Sequence, residues 1–357
     1  MHPTHILPLL GAEPGEREFL YLPGAEAPAL LAEALDAPAP VAALRRGRYA
    51  RLLERPILRG LLAAAGDGTL HPADLALLAA PESLPDAPGP AANAALEAAL
   101  RQPWHRFRTS LGIWGEEDHD LGWGQTSRQG ANLVLRLAFP EAHDTAFMAA
   151  FRGDRMRRRF EAGHHPTASE GSMTLAWARL DWEPGGEDLL IEELQADWPR
   201  FVRWRMAGSR CEKERLRIGH YQRTVLKPYE KLWPPATLLA AILFAARDLG
   251  CRRIWLHQPE TGVRLKAIYG EGPPRSLYTT LPARFCFEET REAPPFLAKP
   301  VRKRLGRLVT ERRPLFWRLD LDAPATPSAT VPEAEQPRPA AHRHNLFACG
   351  SNGPRFH

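Results

Sequence analysis

The chain has 357 residues, 25% of them charged and 44% from the hydrophobic set, so it can bury a sizeable core as two domains or as one large domain with an appendage. Forty-seven Lys and Arg oppose 42 Asp and Glu, and a net charge of +5 is too small to argue by itself for a nucleic-acid binder. Cys211, Cys251, Cys286 and Cys349 have no C-x-x-C spacing, no positive-then-apolar leader opens the chain, and no apolar run approaches the about 20 residues of a membrane span. A reduced, cytoplasmic protein without membrane association is expected.

Residues 1–105 are rich in Ala, Leu and Pro. Apolar residues recur at i, i+3 and i+4 over 27–35, 42–53, 57–65 and 92–100, which predicts a helical N-terminal module. From about Trp104 strand patterns take over, and residues 106–320 are read as an α+β domain. The run 132–139 predicts a strand that Pro140 ends, followed by a helix over 141–160. Thr174–Trp182 predicts a second strand. Pro184, Gly185 and Gly186 then turn the chain into a third, so that 174–182 and 189–198 form an antiparallel hairpin.

Residues 199–235 read as a basic, aromatic, helical insertion. Pro234 and Pro235 then open an apolar helix, Leu238–Leu249, that Gly250 closes. Arg253–His257 predicts a buried strand, Val263–Tyr269 a short helix, and Leu277–Glu288 a further strand or hairpin. Residues 321–357 form a Pro/Ala-rich tail expected to be disordered.

The third strand carries the most chemistry. Strict alternation puts Ile191, Glu193, Gln195 and Asp197 on one face and Leu190, Glu192, Leu194, Ala196 and Trp198 on the other. Paired carboxylates in a cleft can have their pKa values pushed apart, so that one serves as acid and the other as base. Pairing of Glu193 and Asp197 with Arg179, Arg253 or arginines of the insertion is the alternative. Glu192, on the opposite face, is expected to be structural. His257 ends a strand, where α/β folds often place a catalytic group. No histidine has metal-ligand spacing, and no metal is expected. In the insertion, Trp198, Arg203, Arg205, Tyr229 and Trp233 combine rings and cations. They suit a substrate, an anionic small molecule or single-stranded nucleic acid, and equally an amphipathic packing in which arginine stems cover the rings.

The order strand, helix, hairpin, helix, strand, short helix, strand over roughly 130–290 resembles the GNAT family of N-acyltransferases. The resemblance implies a mixed, mostly antiparallel sheet flanked by helices, with Leu238–Gly250 as the central helix and Tyr269 near the thiol of an acyl-CoA donor. The [RQ]-x-x-G-x-[GA] pyrophosphate loop of that family is absent, the insertion standing in its place. Separately, Ile191–Trp198, followed by Lys227-Pro228-Tyr229, Trp233 and Arg253-Ile254-Trp255, resembles a group of bacterial and phage proteins. That group carries the signature IEE-[IL]-Q-x-DW and occurs within large polyvalent phage polypeptides, which would suit an element of phage–host conflict.

Two functions stay open at this level. One is an acyltransferase-like enzyme acting on an unknown small-molecule or peptide nucleophile, with Glu193 as base, Gln195 and Asp197 positioning the substrate, and Tyr269 or Tyr278 as acid. The other is a non-catalytic module of the same fold that binds nucleic acid or an acidic partner through the insertion.

Overall fold

The computed structural model describes residues 1–10, 15–66, 68–79, 104–115, 125–151, 165–168, 171–268 and 274–323. Tyr269, the tail beyond Ala323, the histidines His119 and His164, the basic run 152–159 and the expected helix over 92–100 lie outside the described residues.

Eight strands form one sheet: β1 (Arg17–Tyr21), β2 (His105–Trp114), β3 (Asn132–Ala138), β4 (Thr174–Trp182), β5 (Asp188–Gln195), β6 (Arg253–His257), β7 (Glu288–Thr290) and β8 (Phe316–Asp320). Their order is β1-β2-β3-β4-β5-β6-β8-β7, antiparallel at every junction except β5/β6. The mixed, mostly antiparallel α+β architecture expected from the sequence is the one observed.

The hairpin forms for the expected reason. Gly185 takes φ +75°, which strains any side-chain-bearing residue, and the Gly186 N–H donates to the Glu183 carbonyl at 2.8 Å.

Several elements depart from expectation. The N-terminal segment is mainly helical, with α1 (Pro3–Leu10), α2 (Glu26–Ala34) and α3 (Pro72–Ala79), yet it also supplies β1, the edge strand of the sheet. The expected boundary near 105 therefore falls at the start of β2, within a shared sheet. After α4 (Ala142–Phe151), the insertion consists of α5 (Trp198–Gly208) and α6 (Glu212–Tyr221). A π-turn over Gln222–Leu226 runs α6 directly into α7 (Lys227–Arg247). Pro234 and Pro235 thus lie inside a helix rather than at its start. Burial of α7 on nearly all sides from Leu232 to Ala245 outweighs the lost N–H donors.

A short helix, α8, spans Pro259–Leu265. The expected strand over 277–288 is instead a helical turn and a short helix, Thr280–Arg284, whose following Phe285 and Phe287 are buried core residues. β8 inserts between β6 and β7, a pairing that neighbouring residues in the sequence do not announce.

The sheet has two unlike faces. One packs on α7 and belongs to the main core, with Ala178 and Leu180 from β4, Leu189, Ile191 and Leu194 from β5, and Ile254 and Leu256 from β6. The other carries a smaller apolar cluster around Leu190, Trp255, Leu265 and Phe316, and next to it a run of charged residues.

Candidate functional site

A bulge builds the site. Arg179 on β4 pairs with Glu193, but the next residue, Leu180, pairs with Ile191, so Glu192 is an extra residue in β5. Alternation is broken there. Ile191 and Leu194 both enter the main core, while Leu190 belongs to the opposite cluster. Glu192 consequently joins Glu193 on the charged face, which corrects the expectation that it lies opposite. Ile191 leaves the polar set.

The bulge coincides with the end of the parallel pairing. Asp188 to Ile191 pair with Arg253 to Leu256, whereas β5 runs on to Gln195. Side chains take the backbone groups that diverging strands would leave unpaired. The Leu194 N–H donates to the Tyr278 hydroxyl at 3.2 Å, and Lys266 Nζ donates to the Glu192 carbonyl at 3.1 Å.

Glu192 is fully buried. Its carboxylate accepts from the Ser127 N–H and hydroxyl, both at 2.8 Å, and His257 Nε2 stands 3.1 Å away. Burial pushes this carboxyl up, but the His257 hydrogen bond and the His257, Lys266 and Arg179 charges outweigh it and hold the group at about 2. His257 Nε2 also lies 3.0 Å from Ser127 Oγ. Ser, His and Glu thus converge on one ring nitrogen. A relay would use both nitrogens, and here His257 Nδ1 is buried without a hydrogen-bond partner. Burial also lowers the pKa of His257 and of Lys266, a shift that the neighbouring Glu192 and Glu193 charges oppose.

Glu193 lies opposite Arg179, which donates to it from Nε at 2.7 Å and approaches from Nη2 at 2.6 Å; Nη2 also donates to the Gln125 carbonyl at 3.1 Å. Burial raises the Glu193 pKa, yet the Arg179 charge and hydrogen bond bring it below the ordinary value. Gln125 itself holds φ +44°, a left-handed conformation that a non-glycine residue adopts at a cost of about 1–2 kcal/mol.

The charged face opens at its far end. Gln195 Nε2 donates to Asp197 Oδ1 at 2.9 Å, Arg200 approaches the same oxygen at 2.5 Å, and His165 Nδ1 stands 2.9 Å from Asp197 Oδ2. The Asp197 side chain is 5% exposed and the His165 side chain 28%. His165 Nδ1 also lies 3.4 Å from Gln195 Nε2. Burial raises the Asp197 pKa, but His165, Gln195 and Arg200 together hold it below the usual carboxylate range.

The structure therefore joins Gln195 and Asp197, places Glu193 against Arg179 and His257 against Glu192, and recruits Ser127, His165, Lys266 and Arg200. His165 and Lys266 lie distant in sequence from β5, and no spacing rule pairs them with it.

Among the expected substrate-binding residues, Trp198 donates its indole N–H to the Tyr221 hydroxyl at 2.8 Å and packs in the aromatic cluster of Phe139, His143 and Phe147. Trp233 belongs to the main core, and half-buried Tyr229 packs on Phe107 and Phe139. Arg203 faces Glu230 at 3.8 Å and Arg205 pairs with Glu214 at 2.5 Å.

One cavity adjoins the charged face and a second lies elsewhere. One of about 10 Å³, lined by His257, Gly262, Lys266, Ile268 and Tyr278, has room for a single water at most. A larger one of about 500 Å³ lies between α1, β1, β2 and the end of α7, away from the charged face. Its rim charges Glu16, Arg17, Glu18 and Arg247 are already paired with Arg108, Asp248, Arg106 and Glu33. Size favours the larger cavity, but the concentration of ionisable groups makes the charged face the better candidate for chemistry. Among the described residues no cluster suited to a metal ion occurs, and no helix is long and apolar enough to cross a membrane.

Comparison with family models, with curated proteins and with solved structures finds no match to this chain.

Proposed function

We propose that the chain is a transferase that moves an acyl group onto a nucleophilic substrate, with His165 taking the proton and Asp197 orienting the ring. The observation that supports this most is a partly exposed imidazole 2.9 Å from a buried carboxylate that follows the end of β5. Asp197 favours the tautomer with the proton on Nδ1, which leaves Nε2 as the acceptor. An incoming amine would lose its proton to Nε2 as its nitrogen attacks the acyl carbonyl. The bond from the carbonyl to the leaving group breaks, and the leaving group takes up the proton. Gln195 and Arg200 hold Asp197 from its other oxygen and fix its angle. Glu192, Arg179 and His257 are buried and Glu193 nearly so, paired as Arg179 with Glu193 and His257 with Glu192. They serve as the rigid charged floor behind the dyad.

A coenzyme pyrophosphate does not fit at the junction of β5 and α5. Asp197 sits at the N-cap of α5, and Pro199 removes an N–H from its first turn. A carboxylate thus occupies the place where a helix N-terminus would receive a phosphate. The donor is therefore proposed to be an acyl ester or thioester recognised by other means.

Acyl N-acetylcysteamine thioesters, which lack a pyrophosphate, test the reading against a panel of primary amines, with amide formation followed by mass spectrometry. His165→Ala and Asp197→Asn are expected to abolish amide formation while circular dichroism stays that of the parent. Equal amide yield from parent and both variants would overturn the assignment.

A further inference from the structure

The insertion contains a feature that packing does not explain. Of its aromatic residues, Trp198, Tyr221 and Trp233 are buried and Tyr229 is half-buried, as expected for an amphipathic helical layer. Trp204 is not: it is 66% exposed, and Leu216 on the neighbouring helix is 64% exposed. Arg200, Arg203 and Trp204 are spaced i, i+3, i+4 and share one face of α5, with Trp198 and Val202 turned inward. Lys213, Leu216 and Arg223 are exposed along α6 and the π-turn, with Ile218 and Tyr221 buried.

Charge is concentrated on the same segment. Residues 198–231 hold ten Lys and Arg against three Glu and no Asp, a net +7, which leaves −2 for the rest of the chain. Arg200, Arg203, Arg210, Lys213, Arg215 and Arg223 are all exposed. Glu214 and Glu230 are engaged with Arg205 and Arg203, so little negative charge remains to offset the surface.

We infer that the outer face of α5 and α6 binds single-stranded nucleic acid, with Trp204 stacking on an unpaired base and the surrounding guanidinium and ammonium groups tracking the phosphates. A local +7 is complementary to a polyanion, and an exposed indole offers a flat ring to a base without regard to its identity. A lipid surface is less suited. The exposed apolar groups are an isolated indole and an isolated leucine separated by charges, not a continuous apolar stripe. The inference does not rest on the transferase reading: Arg200 is paired with Asp197, and Trp204, Arg203, Arg210, Lys213, Arg215 and Arg223 carry it without Arg200.

Fluorescence anisotropy of the full chain with a labelled twenty-nucleotide oligo-dT, at salt concentrations from low to physiological and above, tests it. Binding is expected to weaken linearly on a log–log plot against salt. The single strand should bind more tightly than a duplex of the same length or than inorganic polyphosphate. Trp204→Ala should weaken oligo-dT binding about fivefold or more while leaving polyphosphate binding unchanged. Trp204→Phe should recover most of the loss, which separates stacking from folding. Arg203→Glu with Arg210→Glu should weaken both ligands. Equal affinity for oligo-dT, polyphosphate and polyglutamate would overturn the inference, as would indifference to Trp204→Ala or no binding at low salt. So would tighter, Trp204-dependent binding to anionic lipid vesicles.

Discussion

On the side packed against α7, strands β4, β5 and β6 present Ala178, Leu180, Ile191, Leu194, Ile254 and Leu256; on the other side the same strands present Arg179, Glu192, Glu193 and His257. The apolar side is a sum of many weak, replaceable contacts. The charged side is a few strong, mutually dependent ones, in which each group is tolerable only because its partner is present. A single extra residue at Glu192 marks the change, since it turns a second carboxylate toward the charged side and ends the parallel pairing of β5. A sheet can therefore hold its core with one face and keep a charged, ordered surface for chemistry on the other.

The largest effects should come from splitting a pair on the charged side. Arg179→Ala leaves Glu193 buried without its partner and is expected to cost about 3–5 kcal/mol in urea unfolding. Replacing both residues, as Arg179→Met with Glu193→Leu, should recover most of that loss. A double variant as unstable as the single one would show that the pair holds the fold itself and not only its own charges. For the same reason Glu193→Gln reports on the fold before it reports on any reaction. On the apolar side, Leu194→Ala is expected to cost about 2–5 kcal/mol, with the shape of the stability–pH curve unchanged.

The pH dependence separates the two sides further. Glu192 is held at about 2, below its ordinary 4.5, so its contribution is complete above that ordinary value and is lost as pH falls toward 2. His143 lies in the apolar aromatic cluster and is pushed by burial to about 3. The unfolded chain takes up that proton first, so stability should already decline as pH falls below about 6.5. His143 Nε2 and the Tyr221 hydroxyl are 2.6 Å apart, and His143→Gln keeps an acceptor for that hydroxyl. This variant should reduce the decline between pH 6.5 and 4.5 in thermal melts, with His257 supplying the remainder, and Glu192→Gln should flatten it below 4.5. The smallest effect is expected at the exposed Arg307–Glu311 pair, where Glu311→Gln should leave thermal melts unchanged.

Where local chemistry decides, the sequence was readable. The strand patterns and the Pro-Gly-Gly turn announced β4, β5 and their hairpin, and the run Arg253–His257 announced β6. The concentration of carboxylates in β5 was visible in the sequence, and the structure gathers them with Arg179, His165 and His257. Its face assignment was not readable, because nothing in Ile191-Glu192-Glu193 distinguishes a bulge from regular pleating, and the bulge answers to partners on β4 and β6. His165 and Lys266 reach β5 from segments about 30 and 70 residues distant, where only the folded chain sets proximity. Pro234 and Pro235 misled for a related reason, since local propensity marks a helix start and tertiary burial carries α7 through them.

The dyad at the open end of the charged face is proposed to move a proton during transfer. Amide yield from the parent, His165→Ala, Asp197→Asn and Leu194→Ala chains, measured at one pH with pyrophosphate-free acyl thioesters, would decide it. The expected result is amide from the parent and from folded Leu194→Ala, and none from either dyad variant. Undiminished amide from Asp197→Asn, or none from any chain including the parent, would contradict it.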